Sequence, residues 1–385
     1  MFVSADYGAT ALDGPLPVAL DRAIALPAAA QLVPLADRAA VGLDRRSQPR
    51  SLGPTRWALG AILPPGYVRT HIPSVEATRD VAPLEPLAYA AVAADARGEL
   101  VVAAVAVGPT ATALADEVGT AITRRLRAEP SNKLLRQLAR CAREYRCPSA
   151  RNAFLGTGEC ALPLGAPAND EAAPLVALRR HAERAPLDPV AFRVPAADAA
   201  AVAVAHLTAG GTSVSFGHAC EGEPLDVVRE VVDVTARIRA EISTGEIVLR
   251  TSGAPAVALG RAAEAGVGRV VVRLASADGP TYERVHRPTG FRWTDVRAAL
   301  REAGARQVAI TVELLSLPGL TDRETEVAAL VALLGELQPG TEVRLADLAA
   351  DPYALLARVP GGATIGIAAM LDRLRADAAH VRLAA

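Results

Sequence analysis

The sequence predicts an α/β protein built around an open, partial (β/α)6 TIM-like barrel, with an N-terminal α+β region before it. Three observations predict this. From about residue 195 onward, apolar strand-like runs alternate with helical patterns. Glycines stand where those helices should stop, at Gly210, Gly245, Gly266, Gly304 and Gly340. The stretch 225–242 brings Leu225, Val228, Val232 and Ile238 to one helical face. Such alternation implies a parallel sheet with right-handed crossovers. Six units fall short of the eight of a closed barrel, and a doubly wound sheet is the alternative.

The elements follow in order. Residues 1–110 read as β-rich, with a Pro-Pro-Gly turn inside "LGAILPPGYVRTHIPSVE" (59–76) and a hairpin over 87–108 that turns at Asp95–Gly98. Helical patterns cover about 112–128 and 131–145. A strand near 158–164 opens the barrel. It is followed by helix 195–209, strand 212–219, helix 225–243, strand 246–252, helix 255–266, strand 269–276, helix 293–304, strand 307–315, helix 322–337 and strand 341–348. The expected division is an N-terminal α+β region (1–150), the barrel (151–355) and a C-terminal helical extension (356–385).

Composition excludes several classes. Half the chain is apolar and the net charge is −1, which gives no footprint for nucleic acid or an acidic membrane. The most apolar stretch, 87–108, is interrupted by Asp95, Arg97 and Glu99, so it is no membrane span. Without a basic-then-apolar leader, the expected location is the cytoplasm. Cys141, Cys147, Cys160 and Cys220 form no C-x-x-C pair, and no metal site is expected from them.

In either fold, function collects at the C-terminal ends of the strands. The second of them ends in "GHACEGEP" (217–224), which places His218, Glu221, Gly222 and Glu223 on the rim. His218, Glu223 and Glu313 are the candidate acids or bases. A carboxylate beside the following helix is equally expected to cap it. Segment 276–290 reads as a surface lid.

Four strands carry a charge inside an apolar run: Arg250, Arg273, Glu313 and Arg344. A charge there avoids the helical layer, because burying it unpaired is too costly. All four are therefore expected in the lumen. The bland reading is a salt-bridge cluster. The sharper one is a site for a small acidic metabolite on Arg250, Arg273 and Arg344, since three arginines exceed one glutamate.

Six βα units with Glu221-Gly222-Glu223-Pro224 after the second strand resemble the radical S-adenosylmethionine superfamily. "CAREYRCPSARNAFLG" (141–156), "LPPGYVRTHIPSVE" and "PGLTD" (318–322) are similar to a bacterial subgroup of it. The resemblance implies a radical-SAM-type barrel in which Glu221, Gly222 and Glu223 meet the amino group of S-adenosylmethionine. It also implies Ser252 and Ser276 as nucleotide contacts. One feature departs from it. The superfamily holds a [4Fe–4S] cluster on C-x-x-x-C-x-x-C after the first strand. The matching loop, "PLGAPANDEAAPLVAL" (163–178), has Ala168, Ala172 and Leu175 at those places and no thiol. The cluster is therefore expected to be absent. Three readings follow: a pseudoenzyme binding a metabolite or protein partner, an enzyme using S-adenosylmethionine or another anionic nucleotide for polar chemistry, and a radical enzyme with other cluster ligands. The first is preferred.

Overall fold

The computed structural model describes residues 10–13, 16–20, 22–64, 66–77, 81–85, 87–95, 97–108, 118–145, 147–171, 190–217 and 221–384. Its centre is a parallel sheet of seven strands in sequence order. These are β1 (Glu159–Ala161), β2 (Ser213–Phe216), β3 (Glu246–Thr251), β4 (Arg269–Leu274), β5 (Ala309–Ser316), β6 (Glu342–Asp347) and β7 (Arg382–Ala384). Every neighbouring pair is parallel. The order without reversal is that of a partial barrel, and it excludes the doubly wound alternative, whose strand order turns back at a switch point. One strand more is present than the six expected. β7 is three residues long and lies in the segment expected to be a helical extension. Three residues are too few to show a period of two.

The helices include α1 (Val118–Ala128), α2 (Lys133–Glu144), α3 (Pro148–Leu155), α4 (Ala196–Thr208), α5 (Val228–Glu241), α6 (Ala256–Ala265), α7 (Gly279–His286), α8 (Trp293–Ala305), α9 (Glu324–Gly335), α10 (Pro352–Leu356) and α11 (Ile367–Asp377). The core lies between the sheet and these helices. Phe216, Leu249, Val270 and Ile310 occupy one register row across β2 to β5. They pack with Val231, Ile238, Leu259 and Leu300 from the helical layer. Ile122, Leu134, Leu138 and Phe154 share the same core, so the apolar packing of the barrel begins upstream of residue 150.

The N-terminal region forms antiparallel sheets. The expected hairpin is there, with Val92 opposite Val102. The region joins the barrel at the end of β6. Arg69, wholly buried, donates from Nη2 to the Leu348 carbonyl at 2.7 Å, and its backbone N–H donates to Asp347 Oδ1 at 3.2 Å. Tyr353 Oη donates to the Pro73 carbonyl at 2.8 Å.

Candidate functional site

The rim after β2 is built from two buried glutamates. Glu221 accepts hydrogen bonds from the Leu164 N–H and, at 2.9 Å, from the Gly217 N–H. Glu223 accepts from the Leu225 N–H at 2.9 Å, the Thr251 hydroxyl at 2.5 Å and the Ser252 N–H at 2.7 Å. It is the N-cap of a 3-10 turn, Pro224–Val227, that leads into α5. Burial pushes the Glu223 carboxyl above its ordinary pKa, against the pull of these donors.

The glycine between them has a steric reason. The Gly222 N–H donates to the Ala166 carbonyl at 2.8 Å, and the Glu223 N–H donates to the Pro167 carbonyl at 2.8 Å. A Cβ on residue 222 would lie 1.9 Å from the Pro167 carbonyl carbon, so only glycine permits the approach. The segment after β1 is thus strapped across the Glu-Gly-Glu turn. Its far end is fastened to α7. The Glu171 N–H donates to the His286 carbonyl at 2.8 Å, and the Thr289 N–H donates to Asn169 at 2.8 Å. His286 Nε2 accepts from the Ala275 N–H at 2.9 Å, so Nδ1 carries the proton and donates to Asp170 Oδ2 at 2.6 Å. Segment 276–290, expected as a surface lid, is instead centred on this helix, with Tyr282 and His286 buried. The apolar side chains at 282 and 285 face the core, which a reading of its charges alone overlooked.

Below the rim, alternation along the strands turns the charges away from the helical layer. Ile247 and Leu249 pack into the outer core, and Arg250 points the other way. Arg250 shares its register row with Val271, Thr311 and Glu342. In the next row Glu313 stands between Arg273 and Arg344. Arg273 and Glu313 are buried, whereas the Arg344 side chain is 37% exposed and pairs with Glu342 at 2.7 Å.

The acids that meet these arginines were not all visible in the sequence. Arg250 Nε and Nη2 both donate to Glu159, at 3.0–3.2 Å. Burial alone would lower the Arg250 pKa. Glu159 and, behind it, Glu313 outweigh that and hold it above its ordinary value. Arg269 Nε reaches both oxygens of Glu246 at 3.0 Å. Glu342 accepts from Arg344 and Arg382, each at 2.7 Å. Burial would raise the Glu342 carboxyl, but these arginines and Arg269 hold it below its usual range. The expected surplus of three arginines over one glutamate is therefore corrected. Glu159, Glu246 and Glu342 join Glu313 on this face and offset most of the positive charge. The signal was the acidic residue at or near the start of β1, β3 and β6, each in register with the lumen face.

The remaining candidates are placed as follows. The Ser252 N–H serves Glu223. Ser276 Oγ donates to Glu326 at 2.6 Å and accepts from the Asp278 N–H at 3.0 Å. Glu326 also accepts from Arg323 at 2.7 Å, both nearly buried, a pair that sequence reasoning missed. His218 and Cys220 lie outside the described residues, as do Ala172 and Leu175. Cys141 and Cys147 are half-buried at the α2–α3 junction. Cys160 is buried on the outer face of β1, where burial raises its thiol pKa far above the ordinary value.

The loop after β1 does not fit the cluster implied by the resemblance. Iron–sulfur clusters need thiolates, and the sequence has no cysteine from 161 to 219. The carboxylates of Glu221 and Glu223, which the resemblance assigns to the amino group of S-adenosylmethionine, are buried and accept from the chain's own donors.

No family model matches the chain. No curated protein matches it. Among solved structures, it is similar to methylornithine synthase at 12% identity, covering 69% of this chain and 77% of the other with a TM-score of 0.41. It is similar to the FeFe-hydrogenase maturase HydG from Carboxydothermus hydrogenoformans at 14% identity, covering 71% of each chain with a TM-score of 0.42. It is also similar to a radical SAM methyltransferase from Sphaerobacter thermophilus at 16% identity, covering 58% of this chain and 64% of the other with a TM-score of 0.38. At such scores these are likenesses of arrangement, and they say nothing of this chain's chemistry.

Proposed function

We propose that this chain is a radical-SAM-like protein without the cluster, a pseudoenzyme that binds a metabolite or protein partner and cleaves no S-adenosylmethionine. The observation that carries the reading is the strap. The loop that resembles a cluster loop contains no thiol, and its Ala166 and Pro167 carbonyls accept from the Gly222 and Glu223 amides. Residues that would receive a cofactor amino group instead close the chain on itself. Radical chemistry needs an electron delivered to S-adenosylmethionine from the cluster, and this loop supplies no thiolate to hold one.

The lumen gives no comparable support to a polar reaction on an anionic nucleotide. Arg250 is held by Glu159 and Arg344 by Glu342. A guanidinium already forked onto a carboxylate has less to offer an incoming anion. The test is turnover under reducing, anaerobic conditions with S-adenosylmethionine. The reading expects no 5′-deoxyadenosine above the protein-free control. Repeated turnover to 5′-deoxyadenosine would overturn it.

A further inference from the structure

Outside the barrel, α1 and α2 present a basic face. Helix α2 is sharply two-faced. Leu134, Leu135, Leu138, Ala139 and Ala142 are buried in the barrel's outer core. Lys133, Arg136, Arg140 and Arg143 are exposed on the other side. Their spacing of three, four and three residues makes a single stripe, about 15 Å long at 1.5 Å per residue. Helix α1 extends the basic surface beside it. Arg143 Nη2 donates to Thr123 Oγ1 at 3.5 Å, which sets the two helices edge to edge. Thr123 lines a surface groove of about 660 Å³ together with Gly119, Thr120, Arg124, Arg127 and Ala128.

The charge is local. Residues 118–145 hold seven cations and two carboxylates, in a chain whose net charge is −1. The two carboxylates are each tied to an arginine four residues before them, Glu129 to Arg125 at 2.7 Å and Glu144 to Arg140 at 3.0 Å. The Arg140–Glu144 pair is exposed and contributes little to stability. The stripe of one lysine and three arginines lies opposite a fully buried face, and arginine forks onto carboxylates in a way lysine does not.

We propose that the α1–α2 face docks an acidic helical segment of a protein partner, with carboxylates spaced to match Lys133, Arg136, Arg140 and Arg143. Charge complementarity selects that occupant. Glu129 and Glu144 interrupt the basic field at intervals, which a continuous phosphate backbone would meet as repulsion. A helix with carboxylates every three or four residues sets its gaps against them. Nor does the face offer the row of aromatic platforms on which single-stranded bases stack, since Tyr145 lies beneath Arg140, 6.0 Å from guanidinium to ring. The proposal stands apart from the barrel's chemistry, because the stripe faces solvent behind the helical layer.

The experiment uses the full chain and a labelled helical peptide of about twenty residues, with glutamates at the 3-4-3 spacing, read by fluorescence anisotropy. A scrambled peptide of the same composition, duplex DNA and vesicles of anionic phospholipid are compared with it. The striped peptide is expected to bind about tenfold or more tightly than its scramble, and the Arg136→Glu, Arg143→Glu double variant to lose about tenfold in affinity with its melting temperature unchanged. Equal binding of striped and scrambled peptides, tighter binding of DNA or vesicles, or an unaffected double variant would overturn it. If the double variant melts early, Lys133→Glu with Arg140→Gln gives the same reading on the other half of the stripe.

Discussion

The rim and the lumen of the barrel use the same residue, glutamate, for opposite purposes. At the rim, Glu221 and Glu223 accept from backbone amides and, at Glu223, a hydroxyl. In the lumen, Glu159, Glu246 and Glu342 face guanidiniums. The difference teaches where each can be replaced. A carboxylate that satisfies backbone donors fixes chain geometry, and its loss leaves buried N–H groups orphaned. A carboxylate that faces an arginine is one half of a pair that an apolar pair could replace at little cost.

The largest effect is therefore expected at the rim. Glu223→Ala strands the Leu225 and Ser252 amides and should cost roughly 3 kcal/mol, read by thermal or urea denaturation. Glu223→Gln keeps an acceptor and should cost less. A Glu223→Ala protein as stable as the wild type would break the comparison and return the rim to a ligand-binding role.

The next effect lies at the junction of the N-terminal region with β6. Burial pushes the Asp347 carboxyl up to about 6, with Arg69 pulling the other way. Between the unfolded value near 3.8 and that folded value, the native state holds the extra proton. Stability from this group is thus present at low pH and falls as pH rises toward 6, by up to roughly 3 kcal/mol. The stability difference between Asp347→Asn and wild type should grow over that pH range and level off above it. A flat difference profile would show that the carboxyl titrates normally.

In the lumen, Glu159→Gln should cost about 2 kcal/mol, because Arg250 keeps its charge and loses its fork. Replacing both, as Glu159→Leu with Arg250→Met, should recover most of that loss. Failure of the double variant to recover, with loss of binding to a small dicarboxylate, would sharpen the lumen into a functional site. The smallest effect belongs to the surface. Glu336→Ala removes the partner of Arg297 and Arg301 and should change stability by less than about 1 kcal/mol.

The parts of this fold that repeat were legible in the sequence. Alternation in "IVLRTS" separates Ile247 and Leu249 from Arg250, and the structure packs the first two outward. Of the glycines expected at helix ends, Gly266 is the cap itself, left-handed at φ 115°, whereas Gly304 lies inside α8. What could not be read was pairing across distance. Glu159 meets Arg250 from 91 residues away, and Asp170 meets His286 from 116 away. No local period reports such partners. Glu221 and Glu223 were visible as a motif; the strap across them shows in residue type only at Gly222, and the sequence does not say that Ala166 and Pro167 are what approaches it.

The central claim, that the protein carries no radical cluster, is tested most directly by iron content. The full chain is reconstituted anaerobically with iron and sulfide, desalted, and assayed for iron per chain together with visible absorbance. The account predicts substoichiometric iron, no cluster absorbance and no change in either on replacing Cys141, Cys147, Cys160 or Cys220 by alanine. About four iron per chain, with a reducible visible band lost in one or more of those variants, would contradict it.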